Sequence, residues 1–265
     1  MKYKAIFIDV DGTLLTDELI ISSGTKEVLG KLNKQGILIS IVTARPPGAS
    51  LPYYNELGVT ENPIICFNGA LIMQNNMVLH EEVIGAMEIM QIINEVKNFN
   101  INISLYKHHD WYTNQIDYWI KQEVQITHAK VTKIDFDLLI SSNFYANKLL
   151  LMGQPFEISN VETHLKNIGF DYLNIHKSKP TYLEIMNNSA SKSRGIEGII
   201  KVLDITADEI ITIGDNFNDI DMFLLARTSI AMGNAPEEVK KYATIVTDNN
   251  NSDGIRKALN NLIKK

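Results

Sequence analysis

Only one cysteine, Cys66, stands among the 265 residues. No intrachain disulfide can form, which fits a reducing compartment. Cys66 lies in the apolar run Ile64-Ile65-Cys66-Phe67, where a lone thiol is read as a small buried hydrophobe. Long apolar runs are missing too. No segment approaches the roughly 20 residues that a membrane-spanning helix needs. The N-terminal run Ala5-Ile6-Phe7-Ile8 is too short for a signal peptide and ends in carboxylates. A cytoplasmic protein without membrane contact is expected. Positive charge is not in excess: 25 Lys and Arg face 31 Asp and Glu, for a formal net charge of -6. This argues against a nucleic-acid partner, whose binding surface usually needs a basic patch. Internal repeats and low-complexity segments are absent. The hydrophobic fraction of 45% and charged fraction of 21% are those of a globular chain that buries one large core or two modest ones.

The apolar residues fall in a rhythm. Ala5 to Ile8 is a short continuous run, read as a buried strand of a parallel sheet. Val28, Leu29 and Leu32 follow at helical spacing, and Gly36 ends that helix. Ile37 to Val42 reads as a second strand, Pro46-Pro47-Gly48 as a break, Pro52 to Leu57 as a helix and Pro63 to Phe67 as a third strand. Such alternation indicates a doubly wound α/β fold. Past Leu79 the texture changes. Val83 to Val96 has the pattern of a long amphipathic helix. Strand-like stretches then run at Ile101–Tyr106, Trp111–Tyr112, Lys148–Met152, Tyr172–Ile175 and Tyr182–Met186, with a helix at Val161–Ile168. The α/β rhythm resumes with a helix at Ser191–Leu203, strands at Ile210–Ile213, Ser229–Met232 and Thr244–Val246, and a terminal helix at Ser252–Lys264. The expected organisation is a Rossmann-like doubly wound parallel sheet core, discontinuous over residues 1–82 and 187–265, with an inserted α+β cap over residues 83–186.

Ligands of open parallel sheets bind outside the carboxyl ends of the strands. Two strands here run directly into acid: Asp9-Val10-Asp11-Gly12-Thr13 after the first, and Gly214-Asp215-Asn216-Phe217-Asn218-Asp219 after the later one. If the two strands are neighbours, four carboxylates converge on one crevice, a costly arrangement unless a cation compensates. Hard oxygen ligands favour Mg²⁺. Asp9 and Asp11 lie two residues apart and in extended geometry face the same side, so that one can attack while the other handles protons. Gly12 permits a sharp turn that brings amides to an anion. Taken singly, Thr43 at the end of the second strand reads as a turn or cap residue, and Lys192 at the start of the helix after the cap as a solvated surface group. If the acidic crevice binds phosphate, the two instead cradle phosphoryl oxygens.

In this order, these residues resemble the haloacid dehalogenase-like superfamily of phosphohydrolases, closest to its Cof-type phosphatases with a type-IIB cap. Asp9-Val10-Asp11-Gly12-Thr13-Leu14 is similar to the first family motif, Val42-Thr43-Ala44-Arg45 to the second, Lys192 to the third and Gly214 to Asp219 to the fourth; Asn68-Gly69-Ala70 also resembles the subfamily. Ala44 stands where the subfamily usually has Gly, and Ser193-Arg194-Gly195 follows Lys192 where a Gly often comes at once. Neither departure removes a catalytic group. The resemblance implies that Asp9 is the nucleophile and forms an aspartyl-phosphate. It implies that Asp11 protonates the leaving oxygen and then deprotonates water. Mg²⁺ would be held by the Asp9 carboxylate, the Asp11 main-chain carbonyl and the Asp215 carboxylate, with Asp219 orienting its water shell or Lys192. Thr43, the Val10 and Ala44 amides, Lys192 and Asn218 would bind the phosphoryl group.

The cap would close over the crevice and choose the leaving group. His108, His109, Trp111 and Tyr112 read either as an ordinary hairpin with packed aromatics or as a rim that touches an organic moiety; Gly153-Gln154-Pro155 is a weaker candidate. The adjacent histidines lack the spacing of a zinc site. The expected partner is a small phosphorylated metabolite: a sugar phosphate, flavin mononucleotide or a related compound. The expected assembly is a monomer or weak homodimer. Two other functions fit the same residues: a phosphomutase using the same aspartyl-phosphate chemistry, and a non-catalytic binding protein on the same scaffold.

Overall fold

The computed structural model describes residues 2–127 and 129–263. Two compact units emerge: Met1–Arg45, Ser50–His80 and Ser191–Lys265 form the first, Pro46–Ala49 and Glu81–Ala190 the second. The chain opens with β1 (Ala5–Ile8), α1 (Ser23–Lys34), β2 (Leu38–Ile41), α2 (Pro47–Leu57), β3 (Ile64–Cys66), β4 (Leu71–Gln74) and β5 (Met77–Glu81). Next come α3 (Ala86–Val96), β6 (Ile101–Lys107), β7 (Asp110–Thr113), α4 (Tyr118–Thr127), β8 (Val131–Lys133), α5 (Phe136–Ser141), β9 (Lys148–Gly153), α6 (Pro155–Ile168), β10 (Leu173–Lys179) and β11 (Tyr182–Asn187). The chain ends with α7 (Lys192–Val202), β12 (Ile210–Gly214), α8 (Ile220–Leu225), β13 (Thr228–Ala231), α9 (Glu237–Lys240), β14 (Ile245–Val246) and α10 (Gly254–Ile263). Lys264, expected in the last helix, lies outside the described residues. Among the described residues no helix is long and apolar enough to cross a membrane.

The first unit is built on a parallel sheet in the order β14-β13-β12-β1-β2. Its central strands are apolar on both faces, as a strand with neighbours on every side requires; all four residues of β1 and all five of β12 are buried. From β1 the chain proceeds outward to β2 on one side, and from β12 outward through β13 and β14 on the other. The order therefore reverses between β1 and β12, the place where open α/β sheets leave a crevice at the carboxyl ends of their strands. The register pairs Ile8 with Ile213, so Asp9 and Asp215 leave the sheet close together.

Several expected elements shift. The break at Pro46-Pro47-Gly48 is instead the start of α2: proline at the first helical position gives up no internal hydrogen bond. Buried Tyr54, whose hydroxyl donates to the Pro63 carbonyl at 2.6 Å, anchors that helix although Pro52 lies inside it. The third strand does not extend the main sheet. β3 pairs antiparallel with β4 in a separate sheet of order β3-β4-β5, touching the second strand's end through a single Val42–Ile65 bridge. The helix expected from Val83 begins at Ala86, because Ile84 bridges Ala146 in extended backbone. α6 starts earlier than expected, with Gln154 just before it, making no side-chain cap bond, and Pro155 as its first residue.

The second unit carries a mixed sheet of order β10-β11-β9-β6-β7-β8, antiparallel except between β7 and β8. Leu105, Leu149, Leu151, Leu183 and Ile185 form one core with Ile89 and Ile92 of α3 and Ile158, Val161 and Leu165 of α6. Side chains alternate along a strand, and the alternate positions in β9 and β11 hold an ion pair, Lys148 to Glu184 at 2.9 Å, each side chain only 7% exposed. Burial alone would raise the Glu184 carboxyl, but Lys148, with Ser178 and His176 adding to it, more than offsets this and holds it below its ordinary 4.5. That pair's contribution is therefore present above pH 4.5 and lost as the pH falls through the lowered folded value. Lys148→Met leaves Glu184 buried without a counter-ion. It should cost about 3–5 kcal/mol in urea denaturation at pH 7, with the deficit shrinking in acid as Glu184 takes up a proton.

Candidate active site

After Ile8 the ladder ends, and residues 10–14 wind into a wide turn in which the Leu14 and Leu15 amides reach back to the Asp9 and Val10 carbonyls at 3.2 and 3.0 Å. Gly12 has φ +75°, and a Cβ there would fall 2.4 Å from Asp215 Oδ2. Only glycine allows both the turn and the close approach. Asp9 and Asp11 both keep extended backbone angles, yet the two side chains take different partners. Asp9 is 6% exposed. Its Oδ1 accepts a hydrogen bond from Lys192 Nζ at 2.5 Å. The Asp11 side chain is 55% exposed and is gripped by Arg45, whose Nε and Nη2 donate to its two oxygens at 2.7 and 2.5 Å.

Lys192, the first residue of α7, is 1% exposed. Ser191 caps that helix by accepting the Arg194 amide. A short segment fixes the place where α7 starts: Phe67, Asn68 and Gly69 have φ of 50°, 49° and 100°, and a Cβ on Gly69 would lie 2.0 Å from the Ser191 carbonyl. Lys192 Nζ also donates to Asp219 Oδ1 at 2.5 Å. The other Asp219 oxygen accepts the backbone N–H groups of Asp215 and Asn216, both at 2.9 Å. Burial would push the Lys192 ammonium down, but Asp219 and Asp9 more than offset this and hold it above its usual range.

Asp215 receives the Thr13 hydroxyl on Oδ1 at 2.7 Å and the Asn234 amide on Oδ2 at 3.3 Å. Its carboxyl is pushed up to about 6, mainly by burial, with Thr13 opposing and Asp219 adding to the rise. Burial likewise pushes Asp9 well above its usual range; Lys192 opposes this, and Asp219 and Asp215 reinforce it.

Oxygens of Asp9, Asp215 and Asp219 lie within 4.8 Å of one another. Three of the four expected carboxylates therefore meet. Asp11 stays near enough for its charge to be felt at Asp215, but its bonds go to Arg45. Thr43 is buried and its Oγ1 accepts the Arg45 amide at 3.1 Å, leaving the hydroxyl proton available to an anion. Val10 is buried in the turn, Ala44 sits between Thr43 and Arg45, and Asn218 donates to Asn68 Oδ1 at 3.2 Å. Two groups at this site had no role in the sequence reading, Thr13 and Asn234. Asn234 follows the strand end at Ala231, so the strand-end rule that singled out Asp9 and Asp215 points to it as well.

In the second unit, His108 and His109 form the turn of the β6–β7 hairpin. His108 contacts Glu81 at 2.7 Å, Trp111 is buried and stacked on Tyr106, and Tyr112 meets Phe144 edge-on.

A family model described as haloacid dehalogenase-like hydrolase matches residues 6–259. The chain belongs to that family. A relative in Haemophilus influenzae, named "putative phosphatase", is 33% identical over 258 residues, 96% of each chain. The pyridoxal phosphate phosphatase of Escherichia coli is 26% identical, over 96% of this chain and 97% of its own. A haloacid dehalogenase-like hydrolase from Bacteroides thetaiotaomicron, a solved structure, matches with TM-score 0.92 at 28% identity, covering 98% of this chain and 100% of that one. A subclass IIB sugar phosphatase matches with TM-score 0.83 at 26% identity, covering 98% of each. The chain is thus a Cof-type enzyme of the haloacid dehalogenase-like phosphatase class, and its mixed second sheet is the inserted cap of subclass IIB.

Proposed function

We propose that this enzyme hydrolyses small phosphomonoesters with Mg²⁺, through a phosphoryl group carried on Asp9. The observation that carries this reading is the buried Lys192 ammonium held at 2.5 Å from both Asp9 and Asp219, beside Asp215. Three carboxylates against one ammonium leave an excess of two negative charges, the charge of one divalent cation. The donor set is all oxygen, as Mg²⁺ prefers. Asp219 is tied by the Lys192 ammonium and two backbone N–H groups, whereas Asp9 takes Lys192 on one oxygen and Asp215 takes one hydroxyl and one amide at 3.3 Å; Asp9 and Asp215 are therefore proposed to hold the ion, with the Asp11 carbonyl beside them. When bound, the cation would offset the repulsion between the Asp9 carboxylate and a phosphate dianion and polarise the phosphoryl oxygens.

The remaining steps belong to the chain. Lys192, Thr43, Asn218 and the Val10 and Ala44 amides orient the phosphoryl group. An Asp9 oxygen attacks phosphorus as the ester P–O bond breaks, and Asp11 gives a proton to the leaving oxygen. Asp11 then takes a proton from water as that water attacks the aspartyl-phosphate, which releases phosphate and regenerates Asp9. Arg45 donates to both Asp11 oxygens, so delivery of a proton from Asp11 requires that pair to open.

The names of the relatives, one acting on pyridoxal phosphate and one on sugars, support a small phosphorylated metabolite as substrate, with sugar phosphates and flavin mononucleotide among the candidates. A phosphatase screen over a metabolite panel tests the reading. Turnover should fall at least about 100-fold in EDTA and return with Mg²⁺. Activity indifferent to chelation would remove the cation from the mechanism.

A further inference from the structure

Asn234 stands just beyond β13, in Met232-Gly233-Asn234-Ala235. Its Oδ1 accepts the backbone N–H of Asn250 at 3.1 Å. A backbone N–H can only donate, so this bond fixes which end of the amide is oxygen. The Nδ2 end then faces two acceptors, the Gly12 carbonyl at 2.8 Å and Asp215 Oδ2 at 3.3 Å. The supporting loop is itself tied down. Asn250 Nδ2 donates to the Leu15 carbonyl at 3.0 Å and to Asp17 at 3.1 Å, and the Gly233 amide donates to the Asp248 carbonyl at 3.1 Å. One side chain thus links the turn after β1 to the acid after β12.

With Thr13 on one oxygen and Asn234 on the other, the plane of the Asp215 carboxylate is set from both sides. A neutral amide does this without cancelling the charge, as a lysine or arginine there would. A small divalent ion demands a narrow ligand geometry, and hydrogen bonds behind its ligands supply much of it.

We infer that Asn234 is a positioning residue for the cation: it orients the Asp215 carboxylate and pins the Gly12 turn against it. The inference rests on the cation reading above. Its test uses the full chain stripped with EDTA, with Mn²⁺ as the probe and free Mn²⁺ counted by electron paramagnetic resonance. Asn234→Ala should bind Mn²⁺ about 10-fold more weakly than the wild type. The Mg²⁺ concentration for half-maximal turnover should rise by a similar factor, with KM for p-nitrophenyl phosphate unchanged at saturating Mg²⁺. Wild-type Mn²⁺ affinity in Asn234→Ala, with only a lower melting temperature in EDTA, would reduce the residue to a loop staple and overturn the inference. Asn234→Ser carries the same test if the alanine variant does not fold. Failure of the wild type itself to bind Mn²⁺ would overturn the cation reading instead.

Discussion

Asp9→Asn should lower phosphatase turnover by on the order of 10³-fold or more while leaving the metal-free protein at least as stable as the wild type. The two halves of this expectation have one cause. Asp9 is buried beside Asp215 and Asp219, and these surroundings disfavour its charge. Only Lys192 opposes them. A neutral amide of the same shape removes the nucleophile and also removes a poorly tolerated charge. Steady-state assays and thermal melts in EDTA check both halves. Substantial turnover, or a melting temperature several degrees below wild type, would contradict the placement of Asp9 as a strained, reactive acid.

Lys192→Met should have the second-largest effect. Lys192 is the sole cation bonded to both Asp9 and Asp219 among the described residues, at 2.5 Å each. Methionine has a similar reach and no charge. Removing one partner of a buried ionic group typically costs about 3–5 kcal/mol, and loss of a phosphoryl-binding donor costs on the order of 10²–10³ in turnover. The sign of the pH dependence follows. Asp9 already lies above its usual range with Lys192 opposing the rise; without Lys192 its folded-state pKa stands further above the unfolded value, so stability is lost as pH rises through it and regained towards acid. Mg²⁺ should restore part of the loss at neutral pH. Urea denaturation across pH, with Mg²⁺ and with EDTA, measures this; a variant within about 1 kcal/mol of wild type in EDTA would contradict it.

How far the site was legible in the sequence depended on what each residue stood next to. Asp9 and Asp215 could be found because each ends a continuous apolar run, and such runs leave few alternatives to a buried parallel strand. Their adjacency stayed conditional in the sequence, because strand order is a matter of chain topology; the structure places β12 beside β1. Lys192 was different. A lysine at the start of an amphipathic helix looks solvated, and its burial depends on the close seating of Gly69 against Ser191, which no local pattern announces. The Asp11–Arg45 pair and the Asn234 link are likewise contacts between distant segments. In the fold, α4 and α5 were missed because they bury little: α4 hides only Ile120 and Glu123, too few for a helical period to stand out. α2 was missed at its start because Pro47 and Gly48 read as a break, although proline is at home in a first helical turn.

The central claim is that Asp9 carries the phosphoryl group, and the most direct measurement weighs it there. Asp11→Asn retains the nucleophile and loses the group that activates water. With p-nitrophenyl phosphate, whose leaving group departs without a proton, this variant should accumulate the phosphoenzyme. Acid-quenched protein, digested and mapped by mass spectrometry, should carry one added phosphoryl group on the peptide that contains Asp9, and none in Asp9→Asn. A phosphoryl group found on any other residue, or turnover that proceeds in Asp9→Asn with no labelled peptide, would contradict the account.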